Sequence, residues 1–371
     1  MLTRFCVKGF RAFSGELDFR LDSTGNYDFS KDCVTDGIVS RGLIYGKNGS
    51  GKSSLGFALF DIVSHLSQGK LLDGKMVNGP YLNLDTFSIA EFQYTFQFGK
   101  DHVDYLYGKT SPSELVYEKL LINGKESLFI DYRHPEEKRV SLEGIETLNL
   151  AGFVNNHVSL VRYIYANSLS NANPVVTALV SFADHMLWFR SLSNGNQCTG
   201  LIENGSTLDS LVIQAGKTKD FEAFLNSNNI RVSLSEEMLL GKPTIMANFQ
   251  KGAVPLITIA SSGTVSLWLS YCWSLRLSEV SFLFIDEFDA FYHFESAASV
   301  FESIKASQCK QAFLTTHDTS LMNNQETRPD CCFLLADGKI KSLKECTGKE
   351  LREGHNLEKI YRNGGFSSDN E

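Results

Sequence analysis

Hydrophobic and polar residues alternate at the start of the chain: Phe5, Val7 and Phe10 precede Gly15, and Leu17, Phe19 and Leu21 follow it. A period of two broken by glycine predicts a β-hairpin. A polar loop with Asn26, Asp28, Ser30 and Asp32 comes next, then an apolar strand from Ile38 to Tyr45 that runs into a glycine-rich turn. From Ser53 to Gln68 the spacing becomes helical, with Leu55, Leu59, Ile62, Val63 and Leu66 on one stripe and Gly69 placed to stop it. Alternation returns between Leu84 and Tyr132. Phe92, Tyr94, Phe96 and Phe98 turn at Gly99-Lys100-Asp101 into Val103, Tyr105 and Tyr107. Asn123-Gly124 then joins Leu120-Leu121-Ile122 to Leu128-Phe129-Ile130. The stretch 84–132 is thus expected to form an antiparallel β lobe.

From Leu160 to about Ser235 the pattern predicts helices. Pro174 opens one that carries Leu179, Phe182, Met186 and Phe189, and another covers Phe221 to Leu225. Sustained heptads are absent, so no long coiled-coil arm is expected. After Gly241 the residues Ile245, Ala247 and Phe249, the Gly252 turn, and Val254, Leu256 and Thr258 read as strands. An apolar helix follows Ser261-Ser262-Gly263-Thr264, and Val280–Ile285 is a buried strand. A helix is expected from about Phe291 to Ser307, a strand from Ala312 to Thr316, and a closing hairpin around Asp337-Gly338. Ser367 to Glu371 read as a frayed tail. These elements divide the chain into 1–159 with the β lobe, a helical insertion at 160–240, and a C-terminal part at 241–371.

Composition changes this picture little. The 371 residues are 43% hydrophobic and 21% charged, as in ordinary globular proteins. No apolar run approaches the roughly 18–20 residues of a membrane-spanning helix. Met1-Leu2-Thr3-Arg4-Phe5 lacks the features of a secretion signal, and a cytoplasmic chain is expected. The eight cysteines show no CxxC pair, which fits reduced thiols in core positions. A net charge of −8 without a Lys/Arg stripe gives no indication of DNA binding.

Four motifs carry chemistry. Gly46-Lys47-Asn48-Gly49-Ser50-Gly51-Lys52-Ser53 fits G-x-x-x-x-G-K-[ST] between a strand and a helix. Average composition gives such a match roughly 1 in 100 odds by chance. Residues 46–54, through Ser54, are expected to wrap the phosphates of ATP: Lys52 faces the β- and γ-phosphates and the Ser53 hydroxyl is a Mg²⁺ ligand. Phe282-Leu283-Phe284-Ile285 delivers Asp286 and Glu287 at a strand end, Asp286 as the second Mg²⁺ ligand and Glu287 to polarise the attacking water. Ser261-Ser262-Gly263-Thr264 places small residues at a helix start, a second phosphate site that one monomer cannot fold onto its own P-loop. Ser262 and Gly263 are therefore assigned to a neighbour's ATP. Phe313-Leu314-Thr315-Thr316 ends at His317, assigned to the γ-phosphate, with Asp318 beside it.

The four motifs in this order resemble the ABC/SMC-like ATPases. The resemblance is nearer to OLD-type phage-defence ATPases, including the ATPase component of PARIS. It is carried by Phe10-Arg11-Ala12-Phe13, Val254-Pro255-Leu256, Ile285 to Ala290, His293 and the run Arg352 to Tyr361. It covers the first and last thirds of the chain and the middle poorly. Ser261-Ser262-Gly263-Thr264 departs from the transporter form of the signature, and no Q-loop glutamine stands out among Gln93, Gln97, Asn155, Asn156 and the Arg162-Tyr163 region. The resemblance implies an α/β P-loop NTPase of ABC/SMC head type that hydrolyses ATP as a head-to-tail dimer, assembled further into a hexamer. It also implies a toxic nuclease partner of the TOPRIM type that is released on contact with a phage trigger protein. An SMC/RecF-like DNA repair ATPase is the alternative.

Overall fold

The computed structural model describes residues 1–67, 79–85, 88–146, 148–168, 172–190, 197–200, 207–288 and 294–366, with backbone alone at 197–200 and 294–297. Gly69, Asp289-Ala290, His293 and the tail Ser367–Glu371 lie outside the described residues.

Among the described residues, two seven-stranded sheets organise the fold. The first is antiparallel and runs, in spatial order, Arg139–Val140, Lys125–Asp131, Glu114–Ile122, Asp101–Ser111, Ala90–Phe98, Leu2–Lys8 and Leu17–Arg20. The expected opening hairpin is there, with Phe5 opposite Phe19. Its other hairpins follow turn chemistry: Asn123 and Gly124 have φ of 52° and 78°, both positive as a type I′ turn requires. Phe10 belongs to no strand. It closes a tight turn in which Phe13 N–H donates to Phe10 O at 2.8 Å and Arg11 takes φ 46°.

The second sheet runs Gln197–Gly200, Met186–Arg190, Phe282–Asp286, Ala312–Thr316, Arg41–Tyr45, Cys332–Ala336 and Lys339–Ser342. Its middle five strands are parallel, and its two edges are antiparallel. Successive side chains on these strands point to opposite faces. Ile44, Trp188, Phe282, Phe284 and Phe313 therefore join the core shared with Phe5, Phe19 and Tyr94 of the antiparallel sheet. Leu43, Leu187, Leu283, Ile285 and Leu314 point the other way, against Phe301, Ile304 and Leu357 of two helices. Helix Lys52–Leu59 lies in the first core; a Cβ on Gly56 would come 2.7 Å from the Trp188 ring, so only glycine admits this approach.

The single helix expected over Ser53–Gln68 is two pieces, Lys52–Leu59 and Val63–Leu66. The Tyr94 hydroxyl takes the Ala58 and Leu59 carbonyls, at 2.8 and 3.2 Å, that a continuous helix would give to the next turn. Other expectations are corrected within 160–240. Helix Pro174–Asp184 ends before Met186, and Met186–Arg190 is a strand buried between the acidic strand and the sheet edge. A continuous apolar run buried on both faces has no period with which to tell strand from helix. Leu234–Leu239 is also a strand. It heads a three-stranded sheet with Lys242–Phe249 and Gly252–Pro255, and helices Leu208–Gln214, Thr218–Ser227 and Ser262–Ser274 share its core. Leu256 and Thr258, expected in a strand, lie in a helical turn, Leu256–Ile259, that leads to Ser261.

Candidate nucleotide-binding site

Strand Arg41–Tyr45 is buried along its length and opens at its C-terminal end into the glycine-rich loop. Gly51 is the N-cap of helix Lys52–Leu59 at φ 102°, where a Cβ would also press on the Phe13 ring at 3.2 Å. The first-turn N–H groups of this helix have no intrahelical acceptors and, with the helix dipole, favour an anion. They border a cavity of ≈ 210 Å³ lined by Ala12, Asn48, Gly49, Gly51, Lys52, Ser53, Ser54 and Glu287. A larger cavity of ≈ 680 Å³ shares Ala12, Asn48 and Gly49 with it and extends past Tyr45, Lys47 and Ser50 to Leu335, Asp337, Tyr361 and Phe366. The turn at Phe10–Phe13 thus places Ala12 in the wall of both.

Lys52 is 5% exposed. Its ammonium donates to Gly46 O at 2.9 Å and to Lys47 O at 3.4 Å, and stands 3.0 Å from His317 Nε2. Topology explains the last contact. Strand Ala312–Thr316 lies between the P-loop strand and the acidic strand, parallel to both, with Thr316 opposite Tyr45. The residue after Thr316 consequently arrives beside the loop. Asp318, expected beside His317, accepts from Ser320 N–H at 2.9 Å and so caps the short turn Thr319–Leu321.

Asp286 ends the acidic strand at 5% exposure. Its Oδ1 accepts from the Thr315 hydroxyl at 2.8 Å, and the same hydroxyl accepts the Glu287 N–H at 2.7 Å. Glu287 takes φ 52°, unusual for a non-glycine residue, and its position places it in the wall of the smaller cavity. Arg190 is the register partner of Asp286. Its guanidinium lies 4.9 Å from the Phe57 ring centre, and that of Arg11 lies 3.9 Å from the same ring. Burial lowers the Arg190 pKa and Asp286 opposes the shift.

Lys52, Ser53, Ser54, Glu287 and the loop thus gather around one cavity, and His317 reaches it through Lys52. Ser262 and Gly263 do not line either cavity. Ser261 is the N-cap, its hydroxyl accepting from Thr264 N–H at 3.1 Å, and Ser262 begins the helix exposed to solvent. None of the Q-loop candidates reaches the site. Gln93 and Gln97 pair within the antiparallel sheet, Asn156 O accepts from Leu115 N–H beside it, and the Arg162 guanidinium lies over Tyr165. The strand that flanks the acidic strand ends instead at Arg190. Arg190 and Thr315 were not singled out by sequence; the signal available was a charged and a hydroxyl residue closing otherwise apolar strands.

Fold and site define an α/β P-loop NTPase. The chain belongs to the family described as "AAA domain, putative AbiEii toxin, Type IV TA system", whose model matches residues 43–323. Among solved structures it is similar to the Smc head bound to the C-terminal winged-helix domain of ScpA, with 15% identity, 93% of this chain and 98% of that chain covered, and a TM-score of 0.48. It is also similar to the SMC head domain from Thermotoga maritima, with 15% identity, coverage of 92% and 99%, and a TM-score of 0.42. A Pyrococcus furiosus Smc head with an extended coiled coil matches with 12% identity, coverage of 93% and 97%, and a TM-score of 0.46. No curated protein matches the chain significantly in sequence. Among the described residues no helix is long and apolar enough to cross a membrane.

Proposed function

We propose that this chain binds and hydrolyses Mg-ATP, and that ATP joins two copies head to tail. The observation that carries the reading is the division of the site. Lys52, Ser53 and Glu287 line one cavity, while Ser262 begins a helix, is exposed, and does not line that cavity. A triphosphate in the smaller cavity draws Lys52 from His317 to its β- and γ-oxygens, and the larger cavity receives the sugar and base. Ser53 and Asp286 offer the hard oxygen donors that Mg²⁺ takes, and the ion when bound neutralises phosphate charge. Glu287 accepts a proton from the attacking water as its oxygen bonds to the γ-phosphorus and the bond to the ADP oxygen breaks.

The helix end at Ser262 and Gly263 supplies N–H groups to a neighbour's γ-phosphate. Ile257 and Ile259, 48% and 50% exposed immediately before it, support a partner on this face. The family description names a putative toxin of a toxin–antitoxin system, and the reading carries this chain into such a system with a defence role. In this reading the ATP-bound assembly holds a toxic nuclease and frees it when a phage protein engages.

Phosphate release by the purified chain tests the chemistry. Turnover that Lys52→Ala abolishes is expected; Glu287→Gln hydrolysing at the wild-type rate contradicts the assignment of Glu287. DNA-stimulated turnover would favour a repair role over a defence role. Copurification from the natural operon, with mass measurement of whatever is retained, tests for the nuclease.

A further inference from the structure

We propose that Thr315 is a positioning residue for the acid pair: its one hydroxyl holds both Asp286 and the backbone of Glu287, and ties them to the strand that leads into His317. The inference rests on the ATPase reading above. Thr315 is fully buried in the middle of the parallel sheet, with Ile44 of the P-loop strand as its register partner on one side. On the other side its Oγ1 donates to Asp286 Oδ1 at 2.8 Å and accepts the Glu287 N–H at 2.7 Å. Its carbonyl also accepts the Phe288 N–H at 3.2 Å. Thr315 therefore holds the peptide groups on both sides of Glu287.

This grip falls where the backbone needs it. Glu287 sits at φ 52°, a conformation that an L residue keeps only where its surroundings impose it. A hydroxyl can donate and accept through a single oxygen, so it bridges a carboxylate and an N–H at once. Valine has nearly the same shape and does neither. With valine at 315 the Asp286 carboxylate loses a donor, the Glu287 N–H loses its acceptor, and Glu287 is free to leave the cavity wall. The phosphate cradle on the P-loop would be untouched. The loss should therefore appear in turnover and not in ATP affinity. Because Thr316 and His317 follow directly, a shift of this strand would reach the acid pair and the Lys52 contact together.

The test compares Thr315→Val and Thr315→Ser in the full chain, with phosphate release measured over a range of Mg-ATP and melting temperature recorded for each. Thr315→Val is expected to lower kcat about tenfold or more, the scale of a lost hydrogen bond to a charged group, at near wild-type KM. Thr315→Ser is expected to restore kcat to within about threefold of wild type. If Thr315→Val does not fold, Thr315→Cys, with a weak thiol donor and acceptor, takes its place under the same expectation. Wild-type kcat in the valine or cysteine variant, or a serine variant as slow as valine, overturns the inference. Wild-type turnover indifferent to Lys52→Ala would instead remove the ATPase reading itself.

Discussion

The Lys52 ammonium stands 3.0 Å from His317 Nε2. An ammonium only donates, so the lysine is the donor in this contact. His317 thereby meets the loop lysine, which lines the smaller cavity, and in the proposed reading both contact the γ-phosphate. His317→Ala is expected to lower kcat by about 10²-fold, the scale of a removed transition-state contact, while ATP affinity changes little. Lys52→Ala should lose affinity as well. Equal losses of kcat and affinity in His317→Ala would place the histidine in ground-state binding instead, and steady-state kinetics beside equilibrium ATP titration separates the two.

An ion pair anchors the antiparallel sheet to the break that follows the P-loop helix. Lys109 donates to Asp61 Oδ1 at 2.7 Å with both side chains nearly inaccessible, and the Tyr81 and Tyr107 hydroxyls donate to the same carboxylate. Burial pulls the Lys109 ammonium below the ordinary lysine range, and Asp61 opposes that shift. Lys109→Met leaves a buried carboxylate without its cation and is expected to cost about 3–5 kcal/mol in urea unfolding. Adding Asp61→Asn should recover part of that loss; a double variant no more stable than the single would show that the pair is not coupled.

Glu326 predicts a pH effect. Burial first, then the neighbouring Glu302 carboxyl, pushes its pKa from 4.5 up to about 7. The folded chain therefore holds this proton where the unfolded chain has released it. The contribution is present in full below about 4.5 and is lost as pH rises through about 7. Glu326→Gln should narrow the drop in melting temperature between pH 5.5 and pH 8 relative to wild type. An unchanged drop would remove Glu326 from the pH dependence.

Much of this was legible in sequence because local chemistry decided it. Asn123-Gly124 and Asp337-Gly338 fixed their hairpins through positive φ, and glycine spacing located the P-loop. Ser261-Ser262-Gly263-Thr264 was expected to open a helix, and Ser261 is its cap, since its hydroxyl accepts from the Thr264 N–H. What was hidden depended on distant partners. Met186–Arg190 is a strand only because the acidic strand lies beside it. The helix break near Asp61 is made by Tyr94, Tyr107 and Lys109 from another sheet. Thr315 reads as one more β-branched residue until Asp286 and Glu287 are seen against its hydroxyl.

The joining of two copies by ATP is tested most directly by sedimentation of the Glu287→Gln chain with and without saturating Mg-ATP. Conversion from monomer to dimer on addition of nucleotide is predicted, together with its loss when Ser262→Arg places a bulky side chain at the helix end. A chain that stays monomeric with ATP bound, or that dimerises equally well with arginine at 262, would contradict it.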